Sequence, residues 1–295
     1  MHNTGTVFKA LSGFFYIHTE EGDVCCRARG QFKHKNANIL VGDHVVYECT
    51  DPGYGIITQI LERKNSFLRP AVANVDAVVI IASESIPITD PYLIDRVTVT
   101  AAARNCEAVV CINKCDLYAC DRLFDIYKKS GFKTIKTSAV NGEGIKELSD
   151  YRSGKICVFT GNSGVGKSSV LNALNPDFNI QTGDISQKLG RGRHTTRHVE
   201  LFNLNEETMI IDTPGFSSFD TDQNDIIKKD DLAGAFIDFT SFIGNCRYAD
   251  CAHINEPDCA VKSALSSGSI CRSRYDSYVR LYEIAKNIKE WENNK

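Results

Sequence analysis

The sequence lacks several features that would set it apart from ordinary globular proteins. It has no apolar run that approaches the ~20 residues of a membrane span, no internal repeat, and no basic, apolar leader in its opening residues, MHNTGTVFKA. Its formal net charge is only −3, so composition gives no general reason to expect nucleic acid, and any RNA contact must come from local patches. We therefore expect a protein that does not span a membrane.

The composition is typical of a globular protein. Hydrophobic residues make up 42% and charged residues 24% of the 295 positions, and a chain of this length is expected to form two or three domains. The 12 cysteines are spread through a long chain, whose opening residues predict no secretory leader. We expect a reducing, cytoplasmic compartment, where clustered cysteines bind metal more often than they form disulfides.

The first domain is predicted over residues 1–67, where short β-rich segments alternate with turns: GTVFKAL, FFYIH, DVCCRARG, DHVVYEC and GIITQILE. They favour a small all-β barrel like the oligonucleotide-binding (OB) fold. Aromatic residues and a basic loop accompany these strands: Phe8, Phe14, Phe15, Tyr16, Lys33, His34 and Lys35. The pattern predicts an RNA-binding surface, but it is equally compatible with half of the aromatics lying in the barrel core.

The second domain is predicted over residues 68–220, and the polar segment RKNSFLRP (63–70) marks the boundary. VDAVVIIAS (75–83) and EAVVCIN (107–113) are continuous apolar runs, as expected of parallel strands buried on both faces. Segments of helical length alternate with these and later strands, which predicts a doubly wound α/β domain.

A phosphate-binding loop is predicted in KICVFTGNSGVGKSSVLNAL (155–174). An apolar strand leads into the pattern G-x-x-x-x-G-K-[ST], and a helix-forming segment follows, whereas an ordinary glycine-rich turn needs no such context. Lys167 is predicted to reach the β- and γ-phosphates as a catalytic residue, and Ser168 to bind Mg²⁺. The predicted phosphate contacts are Gly161, Asn162, Ser163, Gly164, Val165, Gly166, Lys167, Ser168 and Ser169.

A guanine-binding motif is predicted directly after the second apolar strand. In an N-K-x-D loop, Asp116 would accept hydrogen bonds from the guanine base, Asn113 would support the site, and Lys114 would pack on the ring. Such a site rejects adenine, because the carboxylate would then lie unpaired. Ser138 and Ala139 follow the next strand and are predicted to offer a backbone N–H to the guanine O6 atom.

Two further segments match the parts of a GTPase that respond to the third phosphate. DTPG (212–215) follows an apolar strand, so Asp212 is predicted to hold Mg²⁺ through water and the N–H of Gly215 to contact the γ-phosphate. RGRHTTR (191–197) lies where switch I belongs. We favour the second of its threonines, Thr196, as a catalytic residue that closes onto Mg²⁺.

The order of these motifs indicates a circular permutation. Ordinary GTPases run phosphate loop, switch I, DxxG, NKxD and SA, whereas this chain begins with NKxD and SA and ends with DTPG. One catalytic part is missing, since Phe216 stands where many GTPases carry a glutamine that orients water, and we expect slow intrinsic hydrolysis. His194 is the nearest candidate for that task, although it fits a solvent-facing loop histidine equally well.

A third, helical domain is predicted over residues 221–295, with helices over Asp225–Phe239 and Arg274–Trp291. Between them, three thiols and one imidazole lie within a short stretch: Cys246, Cys251, His253 and Cys259. These are the ligands of a closed, tetrahedral, structural Zn²⁺ site. The remaining cysteines, Cys271 included, are expected to be buried small apolar residues.

With these parts in place, the chain closely resembles the bacterial ribosome small-subunit-dependent GTPase A family. The resemblance covers essentially the whole length and rests on GNSGVGKSS, RGRHTT and DTPGF, and above all on CRYADCAHINEPDCAVKSAL and RYDSYVRL near the carboxyl end. It implies a GTPase that works in late maturation of the small ribosomal subunit and is stimulated by that subunit. We expect a monomer that binds the small subunit and its rRNA. Phe216 is in keeping with the family.

Two other functions stay open on the residues alone. One is a GTP-binding, RNA-associated assembly factor in which hydrolysis is incidental, which the missing glutamine permits. The other is a P-loop ATPase or kinase, against which Asp116 argues.

The permuted order also connects DTPG directly to the zinc-binding domain through residues 216–220.

Overall fold

The computed structural model of the protein describes residues 3–30, 32, 38–67, 71–178, 200–205, 208–212 and 227–287. Two compact units share these residues. The first holds the described parts of Met1–Ala77, Arg152–Phe159 and Ser186–Phe216, and the second those of Val78–Tyr151, Thr160–Ile185 and Ser217–Lys295. Within the described ranges, every helix is too short or too polar to cross a membrane.

The amino-terminal strands form the predicted small barrel, whose strands are β1 (Asn3–Leu11), β2 (Phe14–Thr19), β3 (Gly22–Ala28), β4 (His44–Asp51) and β5 (Tyr54–Ile60). They are hydrogen-bonded in the order β1-β2-β3-β5-β4, and β4 returns to pair with β1, with Thr4 opposite Val46. The β3–β5 pair is parallel and the other pairs are antiparallel. This closed five-stranded arrangement confirms the OB-like barrel.

Side chains alternate across the strands of this barrel, as the pleat requires. On β2, Ile17 is fully buried in the barrel core and Phe15 packs against the same core. Phe14 and Tyr16 occupy the alternate positions and are half-buried. The aromatics of this strand are therefore divided between the core and the outer face.

The polar segment after the barrel is anchored rather than a free linker. The guanidinium of Arg63 donates from Nε and Nη2 to the two carboxylate oxygens of Asp43, at 2.7 and 2.9 Å, and that carboxylate is fully buried. Short strands follow at β6 (Ser66–Phe67) and β7 (Val72–Ala73), paired with each other. Polar composition alone did not reveal the ion pair between Arg63 and Asp43, because the two residues are twenty positions apart.

Three further strands belong to the first unit: β11 (Ile156–Thr160), β12 (Glu200–Asn205) and β13 (Thr208–Asp212). β13 runs parallel to β11 and antiparallel to β12, and β12 pairs with β1, with Lys9 opposite Glu200. The strand that leads into the phosphate loop therefore lies beside the strand that ends at Asp212, the first residue of the DTPG motif.

The second unit contains the predicted buried strands β8 (Ala77–Ser83), β9 (Glu107–Asn113) and β10 (Lys133–Lys136), in the order β10-β9-β8. All of β8 is buried, and β9 and β10 are parallel, with Cys111 level with Ile135. Four helices accompany the strands: α1 (Pro91–Ala103), α2 (Asp121–Lys129), α3 (Ile145–Arg152) and α4 (Lys167–Leu174). This is the α/β arrangement that the apolar runs predicted.

The carboxyl-terminal region, residues 227–287, contains three described helices: α5 (Lys229–Ala235), α6 (Ala260–Ser266) and α7 (Arg272–Lys286). Phe236 and Phe239 follow α5 and are buried against Tyr278 of α7, with ring centroids 5.4 and 5.1 Å from that tyrosine. The first helix is shorter than predicted, because these aromatics enter the core from a non-helical segment. The predicted end of the last helix, up to Trp291, lies outside the described residues.

Candidate nucleotide site and metal centre

The phosphate loop links β11 to α4 through a backbone shape that requires glycine. Gly166 has a φ of +93°, and a Cβ atom there would lie 2.4 Å from the Nδ2 atom of Asn113. That Nδ2 atom donates to the carbonyl oxygen of Val165 at 2.9 Å, and both side chains are buried. The structure thus brings the phosphate loop against the N-K-x-D motif, an arrangement that is compatible with one shared ligand.

Lys167 and Ser168 begin helix α4 immediately after the loop. The first N–H groups of a helix have no acceptor within the helix, so they can bind phosphate oxygens. Both residues are partly exposed. This position suits the roles predicted for them, contact with the terminal phosphates and with Mg²⁺.

The N-K-x-D motif lies in the loop after β9. Asn113 is 2% exposed, and its Oδ1 atom accepts from Thr137 Oγ1 at 3.3 Å. Asp116 is exposed, and its carboxylate accepts from Ser138 Oγ at 2.6 Å. The loops after two neighbouring strands are therefore brought together, with the aspartate held beside the predicted base contacts of Ser138 and Ala139.

Lys114 makes a contact that sequence reasoning missed. Its φ is +68°, and its ammonium group donates to the carbonyl oxygen of Ile86 at 2.7 Å. This oxygen belongs to the loop after β8, residues 84–90. No local pattern in the sequence indicates this contact, since the two residues are 28 positions apart.

Other predicted nucleotide contacts are only partly covered by the described residues. Asp212 is the last residue of β13, and the preceding residue, Ile211, is level with Val158 of β11. Its backbone therefore lies at the carboxyl edge of that strand pair. His194, Thr196 and Gly215 lie outside the described residues, as do the basic loop residues Lys33, His34 and Lys35.

The predicted metal ligands converge. The ligand atoms of Cys246, Cys251, His253 and Cys259 all lie within 4.8 Å of one another. The Nδ1 atom of His253 lies 3.5 Å from Cys246 Sγ and 3.4 Å from Cys259 Sγ, and these two sulfur atoms are 3.9 Å apart. A tetrahedral zinc ion with Zn–S bonds of ~2.3 Å has ligand–ligand distances of about 3.5 to 3.8 Å. The cluster fits zinc in donor chemistry and in spacing.

Helix α7 supports the metal-ligand loop from one side. The hydroxyl of Tyr275 donates to the carbonyl oxygen of His253 at 2.8 Å, and the hydroxyl of Tyr278 donates to that of Ala252 at 2.7 Å. Burial raises the pKa of the Cys251 thiol to about 12, and a cation bound at the cluster would favour its thiolate form.

A carboxylate outside the predicted ligand set organises the same loop. Glu256 accepts the backbone N–H groups of Ala252, Ile254 and Asn255 at 3.0 to 3.1 Å. Burial alone would raise the pKa of Glu256, but these hydrogen bonds outweigh it and lower the pKa below its ordinary value. Sequence reasoning missed this residue, and its place between the last two ligands is the signal that could have found it.

The other cysteines fit the expectation only in part. Cys26, Cys111 and Cys157 are buried, whereas Cys271 is half-buried and Cys49 is exposed. The prediction of a buried apolar role is therefore wrong for Cys49. It lies near the end of β4, where the strand reaches the barrel surface.

The outer face of the barrel carries aromatic rings beside cations. Phe14 is opposite Arg27 in the β2–β3 pair, and the guanidinium carbon lies 4.6 Å from the ring centroid. The rings of Phe8 and Tyr16 are 6.2 Å apart, and the ammonium of Lys9 is 6.0 Å from the Tyr16 ring centroid. A cavity of about 490 Å³ opens beside Phe14 and Arg27. Such a surface can stack bases and contact phosphates.

Comparison with known protein families covers the barrel and the α/β domain. Residues 60–222 match the model of the RsgA GTPase family, and residues 4–57 match that of the RsgA N-terminal domain. A small ribosomal subunit biogenesis GTPase RsgA from Caldanaerobacter subterraneus is 44% identical over 96% of this chain and 95% of its own length. The protein of the same name from Alkaliphilus metalliredigens is 42% identical over 96% of this chain and 98% of its own.

Solved structures agree with these sequence matches. The crystal structure of YjeQ from Thermotoga maritima superimposes with a TM-score of 0.82 at 36% identity, covering 98% of this chain and 100% of the other. YloQ, described as a circularly permuted GTPase, gives a TM-score of 0.81 at 32% identity, covering 98% and 96%. The permuted GTPase fold is confirmed, and this chain belongs to the RsgA GTPase family.

Proposed function

We propose that this GTPase acts in late maturation of the small ribosomal subunit, and that the subunit stimulates its hydrolysis of GTP to GDP and phosphate. The observation that carries the proposal is the hydrogen bond from Asn113 to Val165, which joins the guanine motif to the phosphate loop. The relatives are named for biogenesis of the small ribosomal subunit, which supports the choice of partner. We propose further that it works in the cytoplasm, as a monomer.

Guanine selection is assigned to Asp116. Its carboxylate would accept hydrogen bonds from the N1 and N2 atoms of guanine, and its bond to Ser138 holds it in place. Adenine presents no matching pair of donors, so a bound adenine would leave the carboxylate unpaired. Lys114 would pack its aliphatic stem on the base, and the N–H of Ala139 would donate to guanine O6.

Phosphate binding is assigned to the loop from Gly161 to Ser169, with Lys167 on the β- and γ-phosphates. Ser168, Thr196 and Asp212 would hold Mg²⁺, the usual metal of GTPases, which supplies positive charge against the terminal phosphates. The N–H of Gly215 would contact the γ-phosphate. Because the chain has Phe216 in place of a glutamine, we assign the orientation of the attacking water to His194.

The metal cluster is proposed to hold one structural zinc ion. Four protein ligands complete a tetrahedral shell and leave no position for substrate, which distinguishes a structural from a catalytic zinc site. The ion would hold the loop between α5 and α6, whose ligands are Cys246, Cys251, His253 and Cys259.

The barrel is proposed to bind rRNA through its outer aromatic face, centred on Phe14 and Arg27. Aromatic stacking accepts any base, because every base has a π face. Leucine in place of Phe14 should weaken binding to small subunits, while leucine in place of Tyr54, an exposed aromatic on β5, serves as a matched control.

Single-turnover phosphate release with and without purified small subunits tests the function. We expect slow hydrolysis of GTP, a large stimulation by small subunits, and little turnover of ATP. The absence of stimulation at saturating subunits would favour the alternative, a GTP-binding assembly factor with incidental hydrolysis, which Phe216 permits.

A further inference from the structure

Arg274, near the start of α7, is a fully buried cation held by two carboxylates. Its Nη1 atom donates to Asp95 Oδ1 at 2.7 Å, and its Nη2 and Nε atoms donate to the two oxygens of Asp238 at 2.7 and 3.3 Å. Both the arginine and Asp95 side chains are 0% exposed. The guanidinium also lies between the rings of Phe132 and Phe236, 5.1 and 4.7 Å from their centroids.

These contacts join helices of the α/β domain to the carboxyl-terminal region. Asp95 is on α1 and also accepts the hydroxyl hydrogen of Tyr127 on α2, at 2.8 Å. Asp238 lies in the carboxyl-terminal region, beside the aromatic core of Phe236 and Tyr278. One guanidinium therefore binds α1, α7 and the segment after α5 together.

A buried ion pair needs an explanation other than stability. Removing two charges from water costs several kcal/mol per ion, and apolar side chains of similar volume often stabilise a core equally well. The arginine adds a fixed contact geometry, because its planar guanidinium sets the angle and distance at which each carboxylate binds. The arrangement therefore fixes the position of α7 relative to α1.

The amino-terminal end of α1, close to Asp95, begins beside the proposed nucleotide site. The loop 84–90 precedes α1, and Asp90 caps the helix by accepting the N–H of Tyr92 at 3.0 Å. Lys114 of the guanine motif donates to Ile86 in this loop. Gly164 of the phosphate loop has a φ of +82°, and a Cβ atom there would lie 3.1 Å from Pro87.

Only a short distance separates the ion pair at Asp95 from the start of α1. Asp95 is five residues after Asp90, about 7.5 Å along a helix axis. The loop itself is closed at its base by the N–H of Thr89, which donates to Ser83 O at 2.8 Å, and by the N–H of Ser83, which donates to Thr89 Oγ1 at 3.0 Å. A displacement of α1 would therefore move a closed loop that contacts both nucleotide motifs.

We propose that Arg274 is a positioning residue for subunit-stimulated hydrolysis, which transmits the placement of the carboxyl-terminal region through Asp95 and α1 to the loop beside the phosphate loop. This inference rests on the proposed function, because the small subunit is the partner that places the region. The route differs from the direct connection after DTPG, since it runs through α1. Burial alone would lower the pKa of Arg274, but the two carboxylates raise it, so the guanidinium stays charged.

The test is Arg274→Lys, which keeps the charge and loses the two-sided fork. The matched control is Arg272→Lys, two residues earlier on α7, where the side chain is 78% exposed and pairs with Asp276. We expect zinc content, basal GTP hydrolysis and the subunit concentration for half-maximal stimulation to stay within about twofold, and the stimulated rate at saturating subunits to fall about tenfold. The control should behave as wild type.

A purely structural role predicts a different result. If Arg274 only held the region in a docking shape, the variant would need more subunits but reach the wild-type rate at saturation, and that outcome overturns the proposal. An unchanged stimulated rate at every subunit concentration overturns it as well. Should Arg274→Lys lose zinc, Asp238→Asn provides the second variant, with the same expected fall and the same contrary outcomes.

Amide hydrogen exchange separates this inference from the proposed function, because it needs no subunits. We expect residues 272–280 of the wild-type protein to exchange differently with a non-hydrolysable GTP analogue than with GDP, and the difference to vanish in Arg274→Lys. Equal exchange in both nucleotide states of the wild type overturns the inference. Wild-type protein that shows the exchange difference but no stimulation by subunits contradicts the proposed partner instead.

Discussion

The nucleotide site and the metal centre are assembled over very different lengths of chain. The proposed GTP contacts extend along the chain from Asn113 to Gly215, whereas the four metal ligands fall between Cys246 and Cys259. Asn113 ends a buried strand, whereas the metal ligands lie in the loop between α5 and α6. Damage to the metal ligands should therefore stay local, while the nucleotide site depends on the whole α/β fold.

The largest expected effect is loss of the metal. Cys251→Ser removes one thiolate, so we expect loss of most of the bound zinc and rapid proteolysis between α5 and α6, because binding free energy holds that loop. Nucleotide binding and basal hydrolysis should persist, since the sheet has its own core. Zinc analysis and limited proteolysis measure this, with Cys271→Ser as the matched control outside the ligand cluster.

The two sites are independent if Cys251→Ser loses zinc and keeps its affinity for GTP. A full equivalent of zinc in Cys251→Ser contradicts the ligand assignment. Loss of GTP affinity together with zinc would show that the metal centre supports the α/β domain, and would contradict the expectation that damage to the metal ligands stays local.

The next effect concerns the nucleotide site alone. Asp116→Asn exchanges an acceptor for a donor, so we expect GTP affinity to fall by about a hundredfold or more and xanthosine triphosphate to bind in its place. Zinc content should not change. Competition binding with both nucleotides measures the effect, and Asp121→Asn, an exposed acid that pairs with Lys136, is the control.

A GTP preference that survives Asp116→Asn would contradict the placement of the base. Equal loss in the Asp121→Asn control would indicate a general disturbance of the loop after β9 rather than a lost contact with guanine.

A smaller effect is expected at His194. If it orients the attacking water, His194→Ala should lower the subunit-stimulated rate by about a hundredfold with little change in GTP affinity, the pattern of a group used mainly in the transition state. Single-turnover assays with His198→Ala as control measure it. A wild-type rate would return His194 to the role of a loop histidine.

The smallest effect is expected at Glu256, which stabilises the metal-ligand loop. Its lowered pKa means that the carboxylate stabilises the loop at neutral pH, and this contribution is lost as the pH falls below about 4.5 through the lowered value. Glu256→Gln should loosen the loop by about 1 kcal/mol at pH 7, measured by amide exchange of Ala252 and Ile254. The difference from wild type should shrink in acid, and a difference that grows in acid contradicts the assignment.

Sequence reasoning predicted the parts whose chemistry is local in the chain. The phosphate loop, the guanine motif and the metal ligands each consist of residues with a fixed spacing, so composition and order were sufficient to predict the barrel, the permuted α/β domain and the ligand cluster. The roles of the individual nucleotide contacts stay predictions, because His194, Thr196 and Gly215 lie outside the described residues.

Sequence reasoning missed the contacts that join distant residues. Arg274 and Asp95 are 179 positions apart. RYDSYVRL begins with Arg274, but its residue types do not show that this arginine is buried while Arg272 is exposed. The pairing of Arg63 with Asp43 was missed for the same reason. Only tertiary packing decides which charged side chain of a helix or loop is buried, and a pattern of residue types does not contain that information.

The hydrogen bond from Asn113 to Val165 has a consequence for the order in which the protein is made. Its two partners are 52 residues apart, and the permutation places the guanine motif first. During synthesis, the base-selecting loop leaves the ribosome before the phosphate loop exists, so the nascent chain has no nucleotide to stabilise it until residues near Ser168 emerge. Any folding of β8, β9 and β10 before that point depends on their apolar packing alone, and GTP can stabilise only the later stages.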